Sequence, residues 1–301
     1  MSSTLKRLTK GDIDDVAPFF TFEGFLLIVL GSCAIFVLNH WGLHLILRLN
    51  YPGYNRMPKK EKHEYRLQWN ALIHSVFATI FSIYCMFFTC GDGKTFFNDE
   101  DCRVRARNSQ VWCCAFTAGY LLVDTMWVIF KIGLHTPIDR QTLAHHVIGF
   151  ANYYLAFYKL GFPVTIGAAL IFLEVSTPFV CIRWLLFHHG YKGSNLQTAN
   201  TLALFFFFIF GRVVMQMILV IGYAISWVSM TLTDDNVGGL YKIFIIEMCT
   251  AVLINICLNF YWSYLIIVQV WRIARRGNSA DTHFEGDGAK QGGDLNETNE
   301  D

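Results

Sequence analysis

The sequence predicts an all-α integral membrane protein with seven transmembrane helices. Two observations carry this prediction: long, nearly uncharged segments recur along the whole chain, and only 16% of its 301 residues are charged. A soluble globular domain usually carries about 25% charged residues. The mean hydropathy of +0.38 agrees with a membrane protein. No alternation of apolar and polar residues competes with the helical segments.

Seven apolar segments account for the predicted helices, each of which needs about 20 mostly apolar residues to span a bilayer. They cover residues 19–47, 69–89, 111–132, 143–158, 162–187, 202–230 and 243–271. The fourth segment is short, so it is either a spanning helix or a re-entrant one. Almost no loop separates it from the fifth, which predicts a tight antiparallel hairpin. Pro178 inside the fifth segment predicts a kink one turn beyond Glu174.

The distribution of basic residues predicts how the helices are oriented. Six Lys and Arg residues lie in the first loop, residues 48–66, and three more begin the segment after the last helix. With seven spans, this loop and the C-terminal tail lie on the same side, which is cytoplasmic by the positive-inside rule. The N-terminus is then lumenal. Cys90 and Cys102 flank the second loop and could pair if that loop faces an oxidising lumen, an alternative that the sequence leaves open.

Ionisable residues inside the apolar segments identify a candidate site. His145 and His146 open the fourth segment, and neighbours on a helix lie about 100° apart, so their rings cannot both face lipid. Asp124 and Glu174 lie at mid-depth in the third and fifth segments, where each needs a partner, a proton or water. We therefore expect one shared interior that contains all four side chains.

Further polar residues extend this site as candidates for lipid binding. Asn70 and His74 lie four residues apart on one face of the second helix, Asn152 and Tyr153 follow the double histidine, and Arg183 lies near the end of the fifth helix. Interhelical hydrogen bonds or snorkelling are the alternative, purely structural explanations. No metal site is predicted, because helical zinc pairs prefer histidines four residues apart rather than adjacent ones.

An ordered set of residues in successive helices resembles the TLC-domain family of membrane proteins, which includes the ceramide synthases. The set comprises Trp69-Asn70 with His74-Ser75, the segment 119–124, His145-His146 with Tyr153-Tyr154, and the segment 174–179 with Arg183-Trp184. The resemblance covers residues 60–276 and is strongest to the TLC domain-containing protein 4 group. It implies an N-terminal segment 1–59 with one extra helix, a six-helix domain 60–276, and a tail 277–301 that is expected to be disordered.

The resemblance implies a role in membrane lipid homeostasis, in the endoplasmic reticulum or another endomembrane, with membrane lipids as partners and no cofactor. The protein would bind, sense or move a lipid in an intramembrane cavity. The alternative is acyl-CoA-dependent N-acyl transfer, with His145 or His146 as general base or nucleophile and Asp124 or Glu174 in support. The ceramide synthase signature continues into further acidic residues, whose place is taken here by the segment 173–178 with a single carboxylate.

Other functional classes are disfavoured by the same sequence. A net charge of +1 does not suggest nucleic-acid binding. The seventh segment has no retinal-type lysine at mid-span, which argues against a seven-helix receptor. Transporters usually show internal repeats or paired broken helices, and the chain shows neither pattern.

Overall fold

The computed structural model describes residues 21–134, 137–158, 162–235 and 237–276. Within these ranges every regular element is helical, and seven long helices dominate. They are α1 Phe22–Asn50, α2 Lys59–Phe87, α3 Asn108–Trp127 continued by a π-helical turn Val128–Ile132, α4 Pro137–Tyr158, α5 Phe162–His188, α6 Asn195–Thr233 and α7 Gly239–Arg276. Short helices Pro52–Arg56 and Glu100–Val104 lie in the first two loops. The tail 277–301 lies outside the described residues.

Six of these helices are long and apolar enough to cross a membrane, namely α1, α2, α3, α5, α6 and α7. The predicted class of an all-helical, multi-pass membrane protein is therefore confirmed. The remaining helix, α4, has 22 residues, which gives a length of roughly 33 Å. Its first turns contain Asp139, Arg140 and Gln141, which lower its average hydropathy.

Several helices begin earlier than the apolar segments suggest. Helix α2 begins at Lys59 rather than residue 69, α4 at Pro137 rather than residue 143, and α6 at Asn195 rather than residue 202. Hydropathy detects only the apolar part of a helix, whereas the backbone hydrogen bonds continue through polar turns. At the start of α6, the Ser194 side chain accepts a 3.1 Å hydrogen bond from the backbone N–H of Gln197 and so caps the helix.

Helix α5 is irregular in its middle, next to the predicted kink at Pro178. Residues Ile171–Ser176 form a 3₁₀ turn that contains Glu174, and a new α-helical segment, Thr177–His188, follows it. Pro178 lies in the first turn of that segment, where a missing backbone N–H costs no hydrogen bond. The regular helix is therefore interrupted in the turn that precedes the proline, and this turn contains Glu174 itself.

One end of the bundle is organised around the loop between α2 and α3. A disulfide joins Cys90 to Cys102, with the two Cα atoms 5.6 Å apart. The Thr165 hydroxyl, near the start of α5, donates a hydrogen bond to the backbone carbonyl of Arg103. The Arg103 guanidinium lies 5.1 Å from the ring centre of Tyr223 in α6. The starts of α3 and α5 and the later part of α6 are therefore neighbours at this end.

The opposite end joins the start of α2 to the end of α5. The Tyr65 hydroxyl lies 3.0 Å from Nε2 of His189, and the Glu61 carboxylate lies 3.2 Å from Nδ1 of His188. Burial, and to a lesser degree the neighbouring His188, lowers the pKa of His189. Its ring is accordingly suited to hydrogen bonding with tyrosine hydroxyls rather than to carrying a charge.

Helix α1 packs closely on α3 through small residues. Ser32 Oγ donates a 2.7 Å hydrogen bond to the Phe116 carbonyl, and Cys33 Sγ lies 3.4 Å from the Gly119 carbonyl oxygen. A Cβ atom on Gly119 would lie only 2.6 Å from the backbone oxygen of Val29. Close approach at small residues is a common way for membrane helices to associate. Gly119 is therefore part of the α1–α3 contact.

Candidate functional site

A cavity of about 420 Å³ lies among α3, α4, α5, α6 and α7. This volume falls within the range of small-molecule binding sites. Most of its wall is apolar and includes Leu121, Ile148, Ile166, Leu170, Val220 and Ile245. Polar side chains are few, and the main ones are Thr117, His145, Asn152, Glu174, Gln216 and Asn255. The cavity thus combines an apolar chamber with a limited set of hydrogen-bonding groups.

An ion pair from α6 holds the carboxylate of Glu174. Arg212 Nη2 lies 3.6 Å from Glu174 Oε1. Thr177 Oγ1 donates a 2.6 Å hydrogen bond to Glu174 Oε2 and accepts a 2.9 Å hydrogen bond from Arg212 Nη2. Arg212 Nε also donates to Ser176 Oγ at 3.0 Å. The negative charge at the cavity wall is therefore compensated by a positive charge behind it.

Both members of this ion pair lie in irregular turns. Glu174 lies in the 3₁₀ turn of α5, and Arg212 lies in the π-helical turn Ile209–Met215 of α6. A Cβ atom on Gly211 would lie 2.5 Å from Val175 Cγ1, so the absence of a side chain lets the two turns approach. Single π-helical turns inside longer helices are frequent at functional sites.

A chain of amide side chains runs from Arg212 to His145. Arg212 Nη1 donates to Asn259 Oδ1 at 3.5 Å, and Asn259 Nδ2 donates to Gln216 Oε1 at 2.8 Å and to Asn255 Oδ1 at 2.9 Å. Gln216 Nε2 donates to the same Asn255 Oδ1 at 3.0 Å. Asn255 Nδ2 lies 2.9 Å from His145 Nδ1. We call Arg212, Asn259, Gln216 and Asn255 the polar chain.

The polar chain determines which nitrogen of His145 carries the proton. A guanidinium can only donate hydrogen bonds, so Arg212 fixes the orientation of the Asn259 amide, which in turn fixes that of Asn255. The Asn255 amino group must then donate to His145 Nδ1, which cannot carry a proton itself. The proton of a neutral His145 therefore lies on Nε2. This nitrogen makes no hydrogen bond within the described ranges, although the residue lines the cavity.

His146 belongs to a separate pair outside the cavity wall. Its Nδ1 lies 3.1 Å from Asp124 Oδ2, at an ion-pair distance but without hydrogen-bond alignment. Neither residue lines the cavity, whereas His145 and Glu174 do. The cavity therefore contains two of the four side chains expected to share one interior, His145 and Glu174, while His146 and Asp124 lie beside it. The physical reason is that adjacent positions on α4 point about 100° apart, so each ring meets a different neighbouring helix.

Comparison with known proteins identifies the fold that contains this site. Residues 67–268, more than half of the chain, match the model of the TLC domain. The chain belongs to the TLC-domain family. The resemblance predicted from the double histidine and its companion residues is thereby confirmed, and the matched segment contains the whole polar chain.

Two kinds of relative share this TLC domain. TLC domain-containing protein 4 A of Dictyostelium discoideum is 25% identical over 239 residues, which cover 77% of this chain and 86% of that protein. Protein CLN8 of Canis lupus familiaris is 25% identical over 167 residues, 53% of this chain and 54% of that protein. Protein CLN8 of Homo sapiens is 23% identical over a segment of the same length. The matched segment spans about half the length of these CLN8 proteins.

Two of the remaining candidates in the TLC domain line the cavity. Asn152 and Tyr153 both belong to its wall. The Asn152 amino group donates a 3.0 Å hydrogen bond to the backbone carbonyl of Ile148 one turn earlier. Tyr153 lies beside Gly167 at the α4–α5 hairpin, where a Cβ atom would be 3.7 Å from its ring. Both residues are therefore placed to contact a ligand.

The other three candidates lie elsewhere in the domain. Asn70 bridges α2 and α1, since its Oδ1 accepts a hydrogen bond from Asn39 and its Nδ2 donates to the Phe36 carbonyl at 3.3 Å. The His74 ring stacks on Tyr120 with ring centres 3.8 Å apart. Arg183 lies 5.2 Å from the Phe187 ring centre. Asn70 thus makes interhelical hydrogen bonds, whereas both ring nitrogens of His74 and Nε of Arg183 are buried without a hydrogen-bond partner among the described residues.

The polar chain is absent from the site predicted from the sequence. A signal was available, because Arg212 and Gln216 lie four residues apart in α6, and Asn255 and Asn259 lie four residues apart in α7. This spacing places each pair on one helix face. Two such faces in apolar helices predict interhelical hydrogen bonds.

Proposed function

We propose that this TLC-domain protein binds, senses or moves a membrane lipid in the cavity among α3 to α7. The observation that carries the proposal is the cavity itself, with an apolar chamber and few polar groups, in which the carboxylate of Glu174 is already neutralised. Such a site complements a molecule with an apolar chain and a small polar group. We place this role in membrane lipid homeostasis, in the endoplasmic reticulum or another endomembrane.

The alternative function is acyl transfer from acyl-CoA, and the position of His145 at the cavity wall favours it. A general base, however, must present an unprotonated nitrogen to the substrate. The polar chain leaves the proton of His145 on Nε2, the nitrogen that makes no hydrogen bond with any described residue. His146 pairs with Asp124 outside the wall. The arrangement therefore agrees better with lipid binding than with acyl transfer.

We further propose that α4 crosses the membrane, which gives seven spans with a lumenal N-terminus and a cytoplasmic C-terminus. The Thr165–Arg103 contact supports this, because it puts the start of α5 beside the start of α3. Helix α4 begins after the end of α3, so it has to run back along the full length of that helix. The pairing of His146 with Asp124 agrees with this antiparallel course.

The disulfide offers a test of this orientation. Cys90 and Cys102 form the disulfide, and the other seven cysteines are free. In sealed microsomes, we expect the disulfide to survive a membrane-impermeant phosphine reductant and to open once detergent is added, because structural disulfides persist in the lumen. After denaturation, maleimide labelling should count seven thiols before and nine after reduction. Reduction of the disulfide in sealed vesicles would contradict the proposed orientation and favour the opposite one.

A substitution that fills the cavity tests the lipid-binding proposal. Ala224 lines the cavity and is half-buried, so Ala224→Trp should displace a bound lipid and reduce the co-purified lipid several-fold. Ala34→Trp is the matched control, because Ala34 is exposed on α1, outside the cavity wall. Mass spectrometry of lipids bound to the purified proteins measures the result. Equal lipid in both variants would refute binding in this cavity.

A different measurement on the same preparations distinguishes acyl transfer from lipid binding. Lipid binding without chemistry predicts no turnover of acyl-CoA by the purified protein. Turnover that disappears in His145→Ala would favour the enzyme instead.

A further inference from the structure

Among the described residues, the polar wall of the cavity includes two side-chain donors without an internal acceptor, the hydroxyl of Thr117 and a ring nitrogen of His145. Both oxygens of Glu174 are engaged, by Arg212 and by Thr177. The Asn255 oxygen accepts two hydrogen bonds, and its amino group is directed to His145. His145 Nε2 is left without a partner in the described part of the chain. Because His145 lines the cavity, a ligand in the cavity can accept a hydrogen bond from this nitrogen.

The charge of the wall limits what that ligand can be. Among the described residues that line the cavity, Glu174 is the one with a formal charge, and Arg212 compensates it. A phosphate or carboxylate group entering this space would find no unpaired positive charge. Burying an ion without a counter-charge is strongly unfavourable. The polar group of the ligand must therefore be uncharged.

We infer that His145 selects lipids by donating a hydrogen bond from Nε2 to an uncharged carbonyl oxygen, as in an acyl ester or amide. This inference rests on the proposed lipid-binding function and specifies its ligand class. The apolar chamber receives the acyl chain, and the carbonyl lies at the polar wall. The polar chain positions this donor. The fixed direction of its hydrogen bonds keeps the proton of His145 on Nε2, the nitrogen that donates to the ligand.

Two neutral lipids that differ only in the carbonyl test the inference. The purified full-length protein is incubated with radiolabelled glycerol monooleate, and unlabelled glycerol monooleate or its oleyl ether analogue competes for binding. We expect the ester to compete roughly fivefold better than the ether, the usual effect of one hydrogen bond. Oleate, which carries a charge, should compete less well than the ester.

A matched pair of substitutions assigns the preference to Nε2. The amide nitrogen of His145→Gln can reach the position of Nε2, so this variant should keep the roughly fivefold preference. The shorter side chain of His145→Asn can satisfy Asn255 but has no donor at that position, so the preference should fall below about twofold. An ester preference that persists in His145→Asn, or is absent in the wild type, overturns the inference.

The outcomes also separate this inference from the function on which it rests. Equal binding of ester and ether by the wild type leaves lipid binding intact but refutes selection by His145. Binding of neither lipid refutes the proposed function, and the inference with it. Solid-state NMR of protein labelled with ¹⁵N-histidine gives an independent readout. After subtraction of the His145→Gln spectrum, a neutral ring protonated on Nε2 is expected, and a proton on Nδ1 would contradict the inference.

Discussion

Arg212→Met is expected to lower the free energy of unfolding by about 3–5 kcal/mol, the cost of leaving a buried charge without its partner. The Arg212 side chain is only 8% exposed and compensates Glu174, whose side chain is 18% exposed. Methionine fills a similar volume but leaves the carboxylate inside the bundle without a counter-charge. Chemical denaturation of the purified protein in detergent micelles, followed by tryptophan fluorescence, measures the change.

A double variant shows whether the loss comes from the uncompensated charge. Arg212→Met combined with Glu174→Gln removes both charges, so we expect it to recover about 1–3 kcal/mol relative to Arg212→Met alone. Arg48→Met, at an exposed position near the end of α1, is the matched control and should change stability by about 0.5 kcal/mol or less. If the double variant is no more stable than Arg212→Met, the loss is due to packing rather than to charge.

The same substitution should also affect ligand selection. Arg212 anchors the direction of the polar chain through Asn259. Without this obligate donor, the amides of Asn259 and Asn255 are free to rotate, and His145 is no longer restricted to the tautomer with the proton on Nε2. Stability and ester preference are thus linked through one side chain.

The fold class could be predicted because six of the seven long helices have the apolar length that a bilayer requires. The boundaries could not, since α2 and α6 extend through polar turns that hydropathy does not detect. The disulfide could not be predicted from the local sequence alone, because pairing of Cys90 with Cys102 is favoured only if their loop is lumenal. The structure supplies that pairing directly.

The site could be predicted only in part, because the sequence shows which residues need a partner but not which partner they find. His145 and Glu174 stand out because an ionisable residue in an apolar helix needs a partner. The choice of partner depends on helix rotation, which a single sequence does not specify. Glycines at the contacts, such as Gly211 against Val175, determine how closely and at what rotation the helices meet. Glu174 therefore pairs with Arg212 from α6 and not with the double histidine.

Gly119→Ala is expected to destabilise the protein by about 1–3 kcal/mol, which is the usual cost of overpacking a close contact. The added Cβ would lie 2.6 Å from both the Val29 carbonyl oxygen and the Ser32 Cβ, and a backbone atom cannot move aside as a flexible side chain can. Helix α1 would be pushed from α3, which would weaken the 2.7 Å hydrogen bond from Ser32 to the Phe116 carbonyl. Chemical denaturation in micelles measures the loss.

The sign of this effect distinguishes packing from helix propensity. Alanine normally favours a helix over glycine by about 0.5–1 kcal/mol, so a glycine without close neighbours should respond in the opposite direction. Gly31 lies on the exposed face of α1, the helix that packs against Gly119 of α3, and a Cβ atom there would meet nothing within 4 Å. Gly31→Ala should therefore be neutral or slightly stabilising. If both substitutions stabilise the protein, α1 is not packed on α3 through Gly119, and the N-terminal helix associates with the TLC domain in another way.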